Sequence, residues 1–201
     1  MTLATPKRTA QIVRETRETS ITCTIDLDGT GGGHRNTGVP FLDHMLDQLA
    51  RHGGLDLDVA CRGDLEIDTH HSVEDCALVI GRAIHEALGD RAGIARMGSA
   101  TVPMDEALAT AAIDLSGRPY AVIATGDAGG SGLPPSLLVH FVESVAIEGR
   151  LCVHLSVLAG RDPHHMAEAA FKSLARALSM AVAPDPRRKG AVGSTKGTLV
   201  G

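Results

Sequence analysis

The segment His70-His71-Ser72-Val73-Glu74 returns later in the chain as His164-His165-Met166-Ala167-Glu168, with both histidines and the glutamate displaced by 94 residues. A second pair of segments, Phe41 to Leu46 and Leu137 to Val142, matches at an offset of 96 and carries one more histidine per copy, His44 and His140. Apolar residues at 41, 42, 45, 46 and 49 recur at 137, 138, 141, 142 and 145, the pattern of one buried helical face. The two residues lost between helix and cluster are absorbed by a connection, whose closure entropy changes little with length. The chain is therefore constrained to fold as two similar units. Its 201 residues suffice for two packed halves with a real core. The boundaries read as 1–93 for the first half-repeat, 94–183 for the second and 184–201 for a C-terminal tail.

Alternation over 8–13 and 20–27 predicts two strands, followed by the glycine-rich loop Gly29 to Gly33. Pro40 starts a helix that Gly53-Gly54 ends, a strand covers 55–61, and a second helix runs from near His70 to Gly89. After Gly98, strands are expected near 99–102, 107–114 and 119–125, then a flexible, exposed loop over 126–135. Helix 136–148, strand 151–158 and helix 163–182 follow, the last with Asp162 as N-cap, Pro163 at its first position and Pro184 beyond its end. Strands and helices that mix without strictly alternating predict an α+β fold, an internal duplication of a sheet-plus-two-helices unit, and disfavour a doubly wound parallel sheet.

With no Trp, one Tyr and three Phe, the core must be aliphatic. A net charge of −5 argues against general nucleic-acid binding. No apolar run approaches 18 residues and Met1 to Arg8 lacks a signal-peptide core, so the expected compartment is the cytoplasm. Cys23, Cys61, Cys76 and Cys152 show no CxxC spacing and read as reduced packing residues rather than a thiolate metal site or a disulfide framework.

Residues four apart on a helix lie one above the other, so His164, Glu168 and Lys172 share a face, as do His70 and Glu74. His and Glu at that spacing can grip one metal. The second histidine of each pair points roughly 100° away and serves another ion. A single His-His pair at a helix start is more often a cap or surface feature, but duplication reverses those odds. Eight candidate ligands result: His44, His70, His71, Glu74, His140, His164, His165 and Glu168. Imidazole and carboxylate without thiolate suit Mn, Fe, Co, Ni or Zn, and the HExxH arrangement is absent. His34 and His52 lie beside glycine-rich turns within reach of a ligand, whereas His85 and His154 read as ordinary helix-surface and strand residues.

The run Arg187 to Gly197 resembles an anion cradle, in which small residues let backbone N–H groups approach while Ser194 and Lys196 donate to phosphate oxygens. It is not a Walker A loop. Arg96 and Arg118, each after a glycine-containing turn, join Lys172 as further candidate phosphate ligands.

Together these residues resemble the imidazoleglycerol-phosphate dehydratase family. The resemblance spans nearly the whole chain. Its carriers are Arg17-Glu18-Thr19, Leu27 to Gly31, Phe41 to Leu46, Gly63-Asp64-Leu65, His70 to Asp75, Pro103 to Ala107, Asp114 to Pro119, His164 to Glu168 with Phe171-Lys172, and Ser194 to Gly197. Gly193, where the family often has Pro, and Val142, where an aromatic is common, depart from the pattern.

The resemblance implies dehydration of imidazole glycerol phosphate to imidazole acetol phosphate, two Mn²⁺ ions per active site, and a 24-subunit shell with active sites shared between subunits. It makes the eight candidates the metal-ligand set. Glu18 becomes a substrate-contacting acid or base, and Arg96, Arg118, Lys172, Ser194 and Lys196 the phosphate grip. The chemistry is consistent with this. The carbon that loses its proton has no neighbouring carbonyl, so the substrate's imidazole must act as electron sink, as an imidazolate between two cations that expels the hydroxyl to give a diazafulvene. Glu168 or Glu18 handles the proton, and the sequence does not rank them.

Two other classes compete. A metal-storing or regulatory metal-binding protein would use the clusters but need no phosphate grip. A metal-dependent phosphohydrolase would normally carry more Asp ligands, and histidine-dominated clusters disfavour it.

Overall fold

The computed structural model describes residues 7–199. The first half contains β1 (Thr9–Glu15), β2 (Thr19–Asp26), β3 (Arg35–Asn36), α1 (Pro40–Gly53), β4 (Asp56–Gly63) and α2 (His70–Leu88). The second half follows the same order, with β5 (Met97–Met104), β6 (Ala107–Asp114), β7 (Tyr120–Ala124), α3 (Pro135–Gly149), β8 (Cys152–Ala159) and α4 (Pro163–Val182). Their sheets are ordered β1-β2-β4-β3 and β5-β6-β8-β7. In each, two antiparallel pairings are followed by one parallel edge pairing, which the helix between β3 and β4, or between β7 and β8, makes possible. The expected α+β duplication is present, without a doubly wound sheet.

The two-residue β3 is a strand that sequence periodicity does not provide for. It is too short to show a period of two, and its place comes from pairing with Val59 and Ala60. The hairpins β1–β2 and β5–β6 correspond at an offset of 88, whereas the helices after them correspond at 94 to 96. The longer β7 and the longer loop before α3 account for the drift.

The helices lie between the two sheets. α2 packs on β1, β2 and β4, α4 on β5, β6 and β8, and across the halves α1 meets α4 and α2 meets α3. Strand alternation builds the inner faces: Ile21, Cys23 and Ile25 of β2 point in, as do Ala107, Ala109, Ala111 and Ile113 of β6. Small residues let α4 sit close to its sheet. A Cβ added at Gly98 would lie 2.1 Å from the Ala177 carbonyl oxygen. This close approach, with buried Ala167, Ala170, Ala175 and Ala181 on α4, lets an aromatic-poor chain fill its core.

The loop before α3 is not the exposed, flexible segment its composition suggests. Ala128 and Leu133 are fully buried, Gly130 bridges Leu133, and a Cβ at Gly130 would collide with the Phe41 ring. Glycines here permit close packing rather than mobility. The tail also returns to the body: Val192 bridges Ala92, Pro184 bridges Ile94, and Leu199 is buried against Gly117.

The four cysteines are free, with Cys23 and Cys76 buried. Burial pushes the Cys23 thiol up to about 12, with the Asp58 charge adding to the shift.

Candidate active site

The fold joins the candidate ligands across the duplication. His44 of α1 lies with His164 and Glu168 of α4, and His140 of α3 lies with His70 and Glu74 of α2. In each trio the ligand atoms fall within 4.8 Å of one another. Glu168 Oε1 stands 2.9 Å from His44 Nε2 and 3.0 Å from His164 Nε2. Glu74 stands 3.4 Å from both His70 Nε2 and His140 Nε2. The His44 and His164 rings are 5.4 Å apart, as are His70 and His140.

Local structure sets these positions. Asp43 accepts hydrogen bonds from the Thr37 amide and hydroxyl at 2.8 and 2.7 Å, which fixes the entry of α1 and so His44. Asp162 caps α4, accepting from the His164 amide at 2.8 Å. At the start of α2, Asp68 accepts from the His70 amide, while Thr69 donates to the Gly132 carbonyl of the other half.

Burial alone would raise the Glu168 carboxyl, but hydrogen bonds from Lys172, His44 and His164 outweigh it and hold the group at about 2. Lys172 Nζ reaches Glu168 at 2.6 Å and Met104 Sδ at 3.2 Å.

The second histidine of each pair stands apart from its neighbour's trio, as helical geometry requires. His71 Nδ1 meets Asp64 at 2.9 Å and Glu18 at 4.0 Å, and His165 Nδ1 meets Glu106 at 2.8 Å. The Asp64 hydrogen bond raises the His71 pKa, and Glu106 raises that of His165. Glu106 is held at about 2, first by His165 and then by the Asp162 amide. Asp64 and Glu106 are the site carboxylates that motif reading misses. Glu106 emerges only from the hairpin register of the folded sheets.

Arg96 lies elsewhere. Its guanidinium grips Asp114 at 2.7 and 2.8 Å and donates to the Gly193 carbonyl, and its backbone takes a positive φ of 76°. Ser194 and Lys196 follow that contact, with the Lys196 amide on Ser194 Oγ. Arg118 is exposed and follows Gly117, whose nearest neighbour is the Leu199 carbonyl of the tail. Lys172 is thus held in the His44 trio and not with Arg96 and the tail.

His52 faces Lys172 and Arg176, and burial together with those cations lowers its pKa. The exposed His34 uses its amide to bind Asp58. His154 is an exposed strand residue, as expected, whereas His85 is half-buried and hydrogen-bonded to Arg91 at 3.0 Å.

A family model for imidazoleglycerol-phosphate dehydratase matches residues 37–178. The imidazoleglycerol-phosphate dehydratase of Frankia casuarinae is 55% identical over 194 residues, covering 96% of this chain and 99% of the relative. That of Bifidobacterium animalis subsp. lactis is 50% identical over 198 residues, again covering 96% and 99%. Among solved structures, the Pyrococcus furiosus enzyme, crystallised with (S)-C348, superposes with a TM-score of 0.80 at 36% identity over 93% of this chain and 99% of that one. The Staphylococcus aureus N315 enzyme gives 0.79 at 34% identity over 88% and 99%.

Two mixed sheets around four helices, with histidine–glutamate groups built across the halves, define an enzyme of the hydro-lyase class. The chain belongs to the imidazoleglycerol-phosphate dehydratase family.

Proposed function

We propose that this chain removes water from imidazole glycerol phosphate to give imidazole acetol phosphate, using two Mn²⁺ ions per active site. The observation that carries the reading is the pair of three-ligand groups, His44–His164–Glu168 and His70–Glu74–His140, each built from both halves. The donor set fits a divalent cation. His140 Nε2 is buried and makes no hydrogen bond, with Glu74 at 3.4 Å as its neighbouring carboxylate, a nitrogen that a metal would satisfy. His71 and His165 complete the ligand set.

Bound there, divalent cations would supply Lewis acidity towards the substrate's imidazole. The chain's own groups do the rest. Both Glu168 oxygens are occupied, Oε1 by His44 and His164 and Oε2 by Lys172. Glu18 is half exposed, with its carboxylate 4.0 Å from His71, and is the carboxylate free to take the substrate's proton. Arg96 and Arg118, with Ser194 and Lys196, hold the phosphate. Asp114 fixes the plane of the Arg96 guanidinium, and the Gly193 contact sets the tail beside it.

The active site is shared between subunits in a cytoplasmic assembly of 24 copies. Arg96 precedes β5 and Met104, which touches Lys172, ends it, so eight residues of extended strand separate the phosphate residues from the His44 trio. That is about 26 Å, longer than the substrate. This separation supports the reading that a second copy brings the phosphate residues to the metals.

Product analysis on imidazole glycerol phosphate tests the reading. A ketone without free phosphate is expected. Free phosphate would instead indicate hydrolysis, and no reaction by metal-loaded protein would leave a metal-binding protein.

A further inference from the structure

The hairpin register exposes a relationship that motif spacing hides. β1 and β2 correspond to β5 and β6 at an offset of 88, since Thr9 pairs Asp26 as Met97 pairs Asp114. On that register the turn residue Glu18 has a structural twin, Glu106. Each twin stands beside the second histidine of its half. Their employment differs. Glu106 Oε2 takes the His165 Nδ1 hydrogen bond at 2.8 Å, and its side chain is three-quarters buried. In the first half Asp64 accepts the corresponding His71 Nδ1 bond at 2.9 Å, and Glu18 is left half exposed at 4.0 Å.

A carboxylate only accepts, so each Nδ1 must carry its proton, and the neutral ring then presents the Nε2 lone pair on its far side. Each ring is thereby held in one tautomer and one orientation. We infer that Glu106 and Asp64 are positioning residues that fix His165 and His71 as Nε2 metal ligands, and that Asp64 releases Glu18 for the substrate. This rests on the metal-dependent reading of the site. Two further contacts support it. Asp64 Oδ1 is buried without a hydrogen-bond partner, so that carboxylate is committed to His71 through Oδ2 alone. Glu106 Oε1 accepts from the Asp162 and Arg161 amides at 3.0 and 3.4 Å, which locks the carboxylate against the N-cap of α4.

Those amide bonds also give Glu106 a purely structural duty, and the test separates the two. Glu106→Gln keeps a carbonyl oxygen for the loop amides but sets an NH₂ donor against Nδ1, which drives the proton to Nε2 and removes the lone pair. Metal-stripped wild type, Glu106→Gln, Glu106→Ala and Asp64→Asn are titrated with Mn²⁺, free ion being read by electron paramagnetic resonance, while urea unfolding of the metal-free proteins reports structure. Each variant is expected to weaken one of the two sites by about 10- to 100-fold and spare the other, with the metal-free Glu106→Gln protein unfolding like wild type. Wild-type Mn²⁺ affinity in both Glu106 variants would overturn the inference. A wild-type protein that bound no Mn²⁺ would overturn the metal reading beneath it, and this control keeps the two failures distinct.

Discussion

His44 Nε2 stands 2.9 Å from Glu168 Oε1, although 124 residues separate them in the chain. A histidine of the first half and a carboxylate of the second therefore share one group, and the duplication closes on itself at the site. The matching contact between Glu74 and His140 makes the second group by the same exchange. Neither half alone holds a complete trio.

Replacing Glu18 with Gln removes the carboxylate proposed to take the proton while leaving both trios intact. Turnover should fall on the order of 10²- to 10⁴-fold with bound Mn²⁺ unchanged. Full turnover in Glu18→Gln would assign the proton to another group.

Arg96→Lys deletes the paired bonds to Asp114 and loosens the Gly193 contact. Charge-assisted bonds of this kind contribute about 1.5–3 kcal/mol. The KM for the phosphorylated substrate should rise roughly 10- to 100-fold, with a smaller change in kcat, as steady-state kinetics would show.

Gly98→Val tests the close seat of α4. Its Cβ would meet the Ala177 carbonyl at 2.1 Å, and neither strand nor helix backbone can withdraw cheaply. A loss of about 1–3 kcal/mol is expected, read as a lower urea midpoint at constant slope.

His85 gives stability a pH dependence. Its pKa is lowered, first by burial and then by Arg91 and Arg150. For a base depressed in the folded state, the stabilisation is complete above the ordinary value of 6.5 and is lost as pH falls below it, because the unfolded chain takes up the proton first. The stability advantage of wild type over His85→Gln should therefore shrink on acidification through 6.5, measured by urea unfolding in chelator. An advantage that grew on acidification would refute the sign.

Much of this was legible in the sequence because its signals are local. The 94-residue repeat located both clusters, and α4 spans Pro163–Val182 as its proline and Asp162 cap indicate. Spacing by four placed Glu168 between His164 and Lys172. What stayed hidden depends on tertiary pairing. The crossing of ligands between halves comes from α1 packing on α4, and β3 exists only through β4. Asp64 and Glu106 lie in connections between elements, where no periodicity marks a side chain's direction. The loop expected over 126–135 misled because glycine composition speaks equally of mobility and of backbone packed too closely for a Cβ.

We propose metal-dependent dehydration at groups shared by the two halves. Its most direct test strips the protein of metal and returns Mn²⁺ stepwise, with bound ion and ketone formed from imidazole glycerol phosphate measured in the same samples. Turnover absent without metal and rising to a plateau at two ions per chain is the predicted result. Ketone formed equally by the stripped protein, or none at full Mn²⁺ occupancy, would contradict it.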